Sequence, residues 1–148
     1  MPEHDTVPRT IAAIGLLGIA LIHVLELPDA FAAVGYLGAL FIAAIVGSLV
    51  LSAALTRTDD PRVWTVAGGL AALVLLGYVV SRSVGLPGFT DDTGEWTEPL
   101  GLASMVVEGL VVSVSVAVLA TRPRAIARPV EAQTRPAPGA GPGAPALG

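Results

Sequence analysis

Residues 81–109 read SRSVGLPGFTDDTGEWTEPLGLASMVVEG, and this stretch decides how the chain is organised. It holds a long polar segment between two apolar runs. Arg82 stands at the end of the first run, and Glu108 stands well inside the second. An ionisable side chain within a lipid-spanning segment is costly and is a site hypothesis by default. We therefore expect the important side chains to lie around Arg82 and Glu108.

The composition outside this stretch is that of a membrane protein. The chain has 148 residues, of which 53% are hydrophobic and 14% charged, and its mean hydropathy is +0.76. A soluble domain of this size needs more charge to cover its surface. The absence of cysteine excludes disulfides and thiolate metal sites. The net charge of −4 comes without a basic patch, so we expect no nucleic-acid partner.

The apolar residues form four runs, each about as long as the hydrocarbon core of a bilayer is thick. The Pro28-Asp29 pair is predicted to break the first helix. Short connections favour antiparallel neighbours, so the predicted fold is an all-α integral membrane four-helix up-down bundle. The predicted spans, within a transmembrane domain of residues 1–121, are 8–27, 30–56, 63–84 and 99–121.

The arginines predict how the chain is oriented. All of them except Arg82 flank one side of a four-span arrangement. By the positive-inside rule both termini then lie in the cytoplasm, and the protein is a multi-pass protein of the plasma membrane with the lipid bilayer as its surroundings. Residues 122–148 are rich in Pro, Gly and Ala, and they predict a disordered cytoplasmic tail.

A cleaved signal peptide is the rival interpretation of the first run. Ala30-Phe31-Ala32 offers a small-x-small cleavage site. The run is longer than a usual signal-peptide core, however, and acidic residues Glu3 and Asp5 precede it. We therefore expect the first run to be a retained span.

His23, Glu26, Arg82 and Glu108 form the predicted ionisable cluster, in the outer half of the bundle. A structural interpretation pairs Arg82 with a carboxylate and so fixes the third helix against the fourth or first. A second interpretation is a proton or ion relay, since histidine titrates near neutral pH and carboxylates bind protons. A metal site built from His23, Glu26 and Glu108 is less favoured, because Arg82 would repel a cation, and no metal or cofactor is predicted.

The polar loop supplies further candidates. Trp96 is a possible interfacial anchor, and Pro99 fits the first turn of the fourth helix. Glu98 complements the positive end of that helix dipole, and Thr97 is a plausible cap. The spacing of the four loop acids does not match an EF-hand, so a solvated acidic loop is favoured over calcium binding.

Small residues at helical spacing mark packing faces. The second run carries such a ladder at Gly35, Ala39, Ala43 and Gly47. Packing within the bundle is the favoured interpretation, and a seam between two copies of the chain is the alternative.

The chain resembles a group of small four-helix membrane proteins of high-GC bacteria to which no activity is assigned. The resemblance rests mainly on residues 78–109, with SRSVGLPG before the loop and a W-x-EPLG pattern after it, and loosely on His23 and Glu26. It implies an intact four-span protein. It also makes Arg82, Trp96, Pro99 and Glu108 better candidates for a shared site.

These observations lead to two expected functions. The first is a non-enzymatic membrane protein, such as an accessory subunit or scaffold with a homo-oligomer or another membrane protein as partner. The second is a proton- or ion-coupled transporter that uses Glu108, His23 and Glu26. The sequence contains no nucleophile elbow, phosphate loop or HExxH motif, so an enzyme is not expected.

Overall fold

The computed structural model describes residues 6–122. Within this range the chain forms four α-helices and no β-strand, with one isolated bridge between Leu86 and Phe89. All four helices are long and apolar enough to span a membrane, so the chain has the candidate spans of a multi-pass membrane protein. The predicted tail at 122–148 lies outside the described residues except for Arg122. The helices are α1 (Thr6–Ala33), α2 (Gly35–Leu55), α3 (Pro61–Ser83) and α4 (Pro99–Thr121).

The predicted break at Pro28-Asp29 is wrong, because α1 continues through Pro28 to Ala33. A proline in a helix removes one backbone hydrogen bond, which is a local loss that packing can offset. Here the turn after the proline is held by the buried Ala30, whose carbonyl accepts a hydrogen bond from Val34 N at 3.2 Å. Val34 alone is extended, and it joins α1 to α2.

The start of α4 at Pro99 is as predicted, and α3 begins at Pro61, two residues before the predicted span. Asp60 caps α3, since its side chain accepts a hydrogen bond from Arg62 N at 2.8 Å. The predicted cap of α4 at Thr97 is wrong. Glu98 occupies the cap position and makes no side-chain capping bond, because its carboxylate is used elsewhere.

The helices pack through small residues on α1 and a mixed core. The α1–α2 interface is the most extensive, and α1 also packs on α4. Gly15 lies against Val111 and Gly18 against Val107, so α1 and α4 run in opposite directions. The core comprises Ala12, Leu16, Ile19, Leu55, Trp64, Ala67, Ala71 and Val111.

The small-residue ladder of α2 does not serve this packing. Gly35, Ala39 and Ala43 are exposed, and only Gly47 approaches a neighbour, Leu70. The interpretation of the ladder as a face packed within the bundle is therefore wrong for its first three members. In their place, α2 turns Leu37, Ala44 and Ser48 inward.

The two ends of the molecule are closed differently. We call the end with residues 84–98 the loop end and the end with residues 56–60 the turn end. At the turn end, Arg9 forms an ion pair with Asp59, and Arg122 Nη1 donates to the Asp59 carbonyl at 2.6 Å. One turn residue thus joins the start of α1 to the end of α4.

Candidate functional site

Arg82 is the organising residue of the loop end. It lies on the last turn of α3 and is only 7% exposed. Its Nη1 lies 2.5 Å from Asp92 Oδ2, and its Nη2 pairs with Glu98 Oε2. We call these three residues the Arg82 cluster. A guanidinium presents several donors in one plane, so a single arginine can hold a loop acid and the first turn of α4 at once.

Two aromatic rings support the arginine. The Arg82 guanidinium carbon lies 5.2 Å from the centre of the Tyr78 ring, a cation–π distance. Trp96 meets Tyr78 edge to face, with centroids 6.2 Å apart and an interplanar angle of 79°. Trp96 is 40% exposed, so it covers the site from the loop side. The predicted role of Trp96 at a membrane interface stays a prediction.

The loop is folded onto the helices by backbone bonds. Gly94 N donates to the Arg82 carbonyl at 2.9 Å, and Tyr36 Oη at the start of α2 donates to the Pro87 carbonyl at 2.8 Å. Leu86 and Phe89 exchange two backbone hydrogen bonds around a Pro-Gly pair. Gly88 has a φ of +74°, a conformation that favours glycine in such a tight turn. The loop thus has a defined conformation next to Arg82.

Glu108 lies in the interior, away from the Arg82 cluster. It is 0% exposed, and its Oε1 accepts a hydrogen bond from the Ser104 hydroxyl one turn nearer the loop end. Its Oε2 is buried and has no hydrogen-bond partner among the described residues. A buried carboxyl group with an unused oxygen is an uncommon feature that calls for an explanation.

The predicted ion pair between Arg82 and a carboxylate is present, but the pairing of Arg82 with Glu108 that the accessory-protein interpretation predicts is wrong. Arg82 does form a buried ion pair that fixes the start of α4, but its partners are Glu98 and Asp92. It does not pair with Glu108, whose Oε1 is bound to Ser104 instead. Both of these acids belong to the loop that sequence analysis assigned to solvent.

The other two members of the predicted cluster occupy different surroundings. His23 is buried, and its Nδ1 donates to the Ile19 carbonyl at 2.9 Å when that nitrogen carries the proton. Its ring packs on Phe41 of α2 with centroids 4.7 Å apart. Glu26 is half-buried and lies close enough to the Arg82 cluster and Glu108 to interact with their charges. The four residues are thus near one end of the molecule, but hydrogen bonds do not join them into one cluster.

The metal alternative finds no support in this geometry. Across residues 6–122, His, Asp and Glu side chains do not come together in a group of three that could hold a metal ion. His23 is turned toward α2, while Glu108 is bound to Ser104 on its own helix.

Tyr78 is the site residue that sequence analysis missed as an individual candidate. It stands four residues before Arg82, so both lie on one face of α3. Its hydroxyl is buried without a hydrogen-bond partner in the described part of the chain. The position of a tyrosine one helical turn before an arginine at the end of an apolar run was the available signal.

Comparisons with known proteins add no relative: no family model matches the chain, and the searches of curated proteins and of solved structures return no match. The resemblance drawn from residues 78–109 therefore stays a prediction.

Proposed function

We propose that this chain is a four-span plasma-membrane protein of up-down topology, non-enzymatic, whose interior carboxyl Glu108 exchanges protons in a proton-coupled transport function. The many large apolar side chains exposed on all four helices support a lipid environment. The contacts between oppositely directed neighbours support the up-down arrangement. Arginines at the turn end support its placement in the cytoplasm.

One observation carries the transport proposal: Glu108 is fully buried, yet Arg82 is held by other carboxylates. An ionised carboxylate without a counter-charge is very costly in a low-dielectric interior. The group is stable there with a proton bound, and the Ser104 hydroxyl then satisfies one oxygen. Buried carboxyls of this kind mark proton relays in membrane proteins.

The test is proton flux through the purified full chain in lipid vesicles. We expect vesicles with wild-type protein to dissipate an imposed pH difference faster than vesicles with Glu108→Gln, because the amide cannot accept and release a proton. Ser113→Ala is the matched control, since Ser113 lies on the same helix but is exposed and bonds its own backbone. Equal rates for wild type and Glu108→Gln would overturn the proposal.

A second candidate is an accessory subunit or scaffold that presents the loop end to a membrane partner. The fixed conformation of the loop favours it, because residues 84–98 are tied to α2, α3 and α4. Asp91 and Glu95 are exposed on this surface. The two candidates separate in one experiment: co-purification of a partner that is lost in Asp91→Asn/Glu95→Gln, with no proton flux, would favour the scaffold.

A further inference from the structure

We infer that, in this conformation of the protein, protons reach Glu108 from the loop end through the hydroxyl groups of Tyr78 and Ser104, and that Tyr78 is the positioning residue of this route. This inference rests on the proposed function, and it specifies the end of the molecule from which protons reach Glu108. Tyr78, Ser104 and Glu108 are the residues of this route.

The first step of the route is the Tyr78 hydroxyl. The Tyr78 ring lies beside the guanidinium of Arg82, so it adjoins the charged groups that meet solvent at the loop end. The same side chain crosses to α4: a Cβ atom built on Gly101 would lie 2.8 Å from the Tyr78 hydroxyl. Only a glycine leaves this space, so the hydroxyl rests directly on the α4 backbone.

The second step is the face of α4 that carries the carboxyl. Gly101, Ser104 and Glu108 are all buried, and their spacing of three and four residues places them on one face. Gly101 is three residues from Ser104, or about 4.5 Å along the helix axis. The Tyr78 hydroxyl therefore lies about one helical turn outward from Ser104.

Hydroxyl groups suit this transfer because each can accept one proton and donate another. When Glu108 is ionised, the Ser104 O–H bond breaks as its proton passes to a carboxylate oxygen. A new O–H bond forms on Ser104 as the Tyr78 O–H bond breaks, and Tyr78 takes a proton in turn from water at the loop end. A water molecule can bridge two hydroxyls separated by one turn. The net result is one proton moved from the loop end to Glu108, with both hydroxyls restored.

The route ends at Glu108 because the next position on the same face is apolar. Val111 is fully buried and packs against Gly15 of α1, which closes the interior below the carboxyl. The following polar group on the face, Ser115, lies beyond Val111 and packs on Gly68 of α3. In this conformation Glu108 therefore has access from the loop end, and flux across the membrane requires a second conformation in which the carboxyl opens toward the turn end.

The titratable groups around this route come from every neighbouring element. They are His23 and Glu26 of α1, Tyr36 of α2, Tyr78 and Arg82 of α3, and Asp92 and Glu98 before α4.

The experiment follows the carboxylic acid C=O band of Glu108 by infrared spectroscopy after the medium is changed to D2O. The full chain is reconstituted in vesicles with the loop end outward, and Glu108→Gln identifies the band. We expect Tyr78→Phe to slow deuteration of Glu108 at least about tenfold. Phenylalanine keeps the ring between Arg82 and Gly101 and removes only the hydroxyl. Tyr36→Phe is the control, because it removes a hydroxyl that bonds Pro87 at the same end.

Should Tyr78→Phe fail to fold, Ser104→Ala provides the same test, with Ser113→Ala as control. Deuteration of Glu108 at the wild-type rate in both Tyr78→Phe and Ser104→Ala would overturn the inference, and so would equal access from the turn end. The proposed function has a separate outcome: it fails if wild type and Glu108→Gln show equal proton flux. Flux that depends on Glu108 but not on Tyr78 would leave the function standing and remove this route.

Discussion

Arg82 shows how one residue can fix both a loop and a helix start. Its guanidinium is buried, while the carboxylates of Asp92 and Glu98 are 38% and 41% exposed. The charge is therefore neutralised from the solvent side, where carboxylates retain part of their hydration. Burying this cation therefore costs less desolvation free energy than burying an ion pair that is enclosed on all sides.

Replacement of this arginine should loosen the loop end. We expect Arg82→Gln to lower the free energy of unfolding by about 2–3 kcal/mol, below the about 3–5 kcal/mol of a fully enclosed pair, because both acids keep solvent contact. Arg82→Lys should lie between wild type and Arg82→Gln, since a point charge cannot hold two carboxylates in one plane. Thermal unfolding in detergent micelles measures both.

The control for this prediction is Arg57→Gln, an exposed arginine at the turn end. It should leave the unfolding temperature unchanged. If Arg82→Gln unfolds at the same temperature as Arg57→Gln, the Arg82 cluster does not stabilise the loop end.

At the scale of the element, α1 and α4 approach closely because α1 presents glycines to α4. A Cβ atom on Gly15 would lie 2.5 Å from Val111 Cγ2, closer than real carbon contacts allow. Val111 is itself fully buried, so it has no free space into which to move. The distance between the two helices is thus set by the absence of a side chain at this position.

Gly15→Ala should therefore destabilise the protein by about 1–3 kcal/mol, the usual cost of an overpacked core. Gly109→Ala makes the same chemical change on α4 where a Cβ would meet no atom within 4 Å. There the gain in helix propensity should stabilise by up to about 1 kcal/mol. Chemical unfolding in micelles compares the two variants, and shifts in the same direction would contradict this account of the α1–α4 contact.

The elements also show what the sequence can predict. The ends of the apolar runs predict the bounds of α3 and α4 to within about two residues, because Pro61 and Pro99 begin these helices. Pro28 carries the same local signal but lies inside a helix, because the packing of the turn around Ala30 decides the outcome there. The burial of Arg82 and Glu108 follows from their positions in apolar runs. The partners of Arg82 cannot be predicted in this way, because they depend on how residues 84–98 fold back onto the helices.

For the whole molecule, the two ends differ in chemistry. The turn end is joined by Arg9, Asp59 and Arg122, and the loop end by the Arg82 cluster. Arginines thus close both ends, but the loop end has the excess of acids. A positive potential outside the cell stabilises acids placed there, which agrees with the proposed orientation.

This orientation can be tested cleanly because the chain contains no cysteine. We expect Thr93→Cys in the loop to react with a membrane-impermeant maleimide in intact cells. Thr56→Cys at the turn end should react only after the membrane is permeabilised. Both positions are exposed in the structure, so their accessibility to the reagent differs only by the side of the membrane on which they lie. The reverse pattern would place both termini outside.

The single residue between α1 and α2 has a consequence for biosynthesis. A single linking residue, Val34, cannot reach from a translocation channel to the surrounding lipid. α1 therefore cannot enter the lipid while α2 is still in the channel, and we expect the nascent chain to insert both helices together as one helical hairpin. The tip of this hairpin takes only two acidic residues, Glu26 and Asp29, across the membrane. The second hairpin, formed by α3 and α4, must then take the acidic segment 84–98 across. Crosslinking of ribosome-stalled chains to lipid tests this order, since release of α1 before α2 has emerged would contradict it. We therefore expect the α1–α2 hairpin, which has the most extensive helix–helix interface of residues 6–122, to pair before the Arg82 cluster is synthesised.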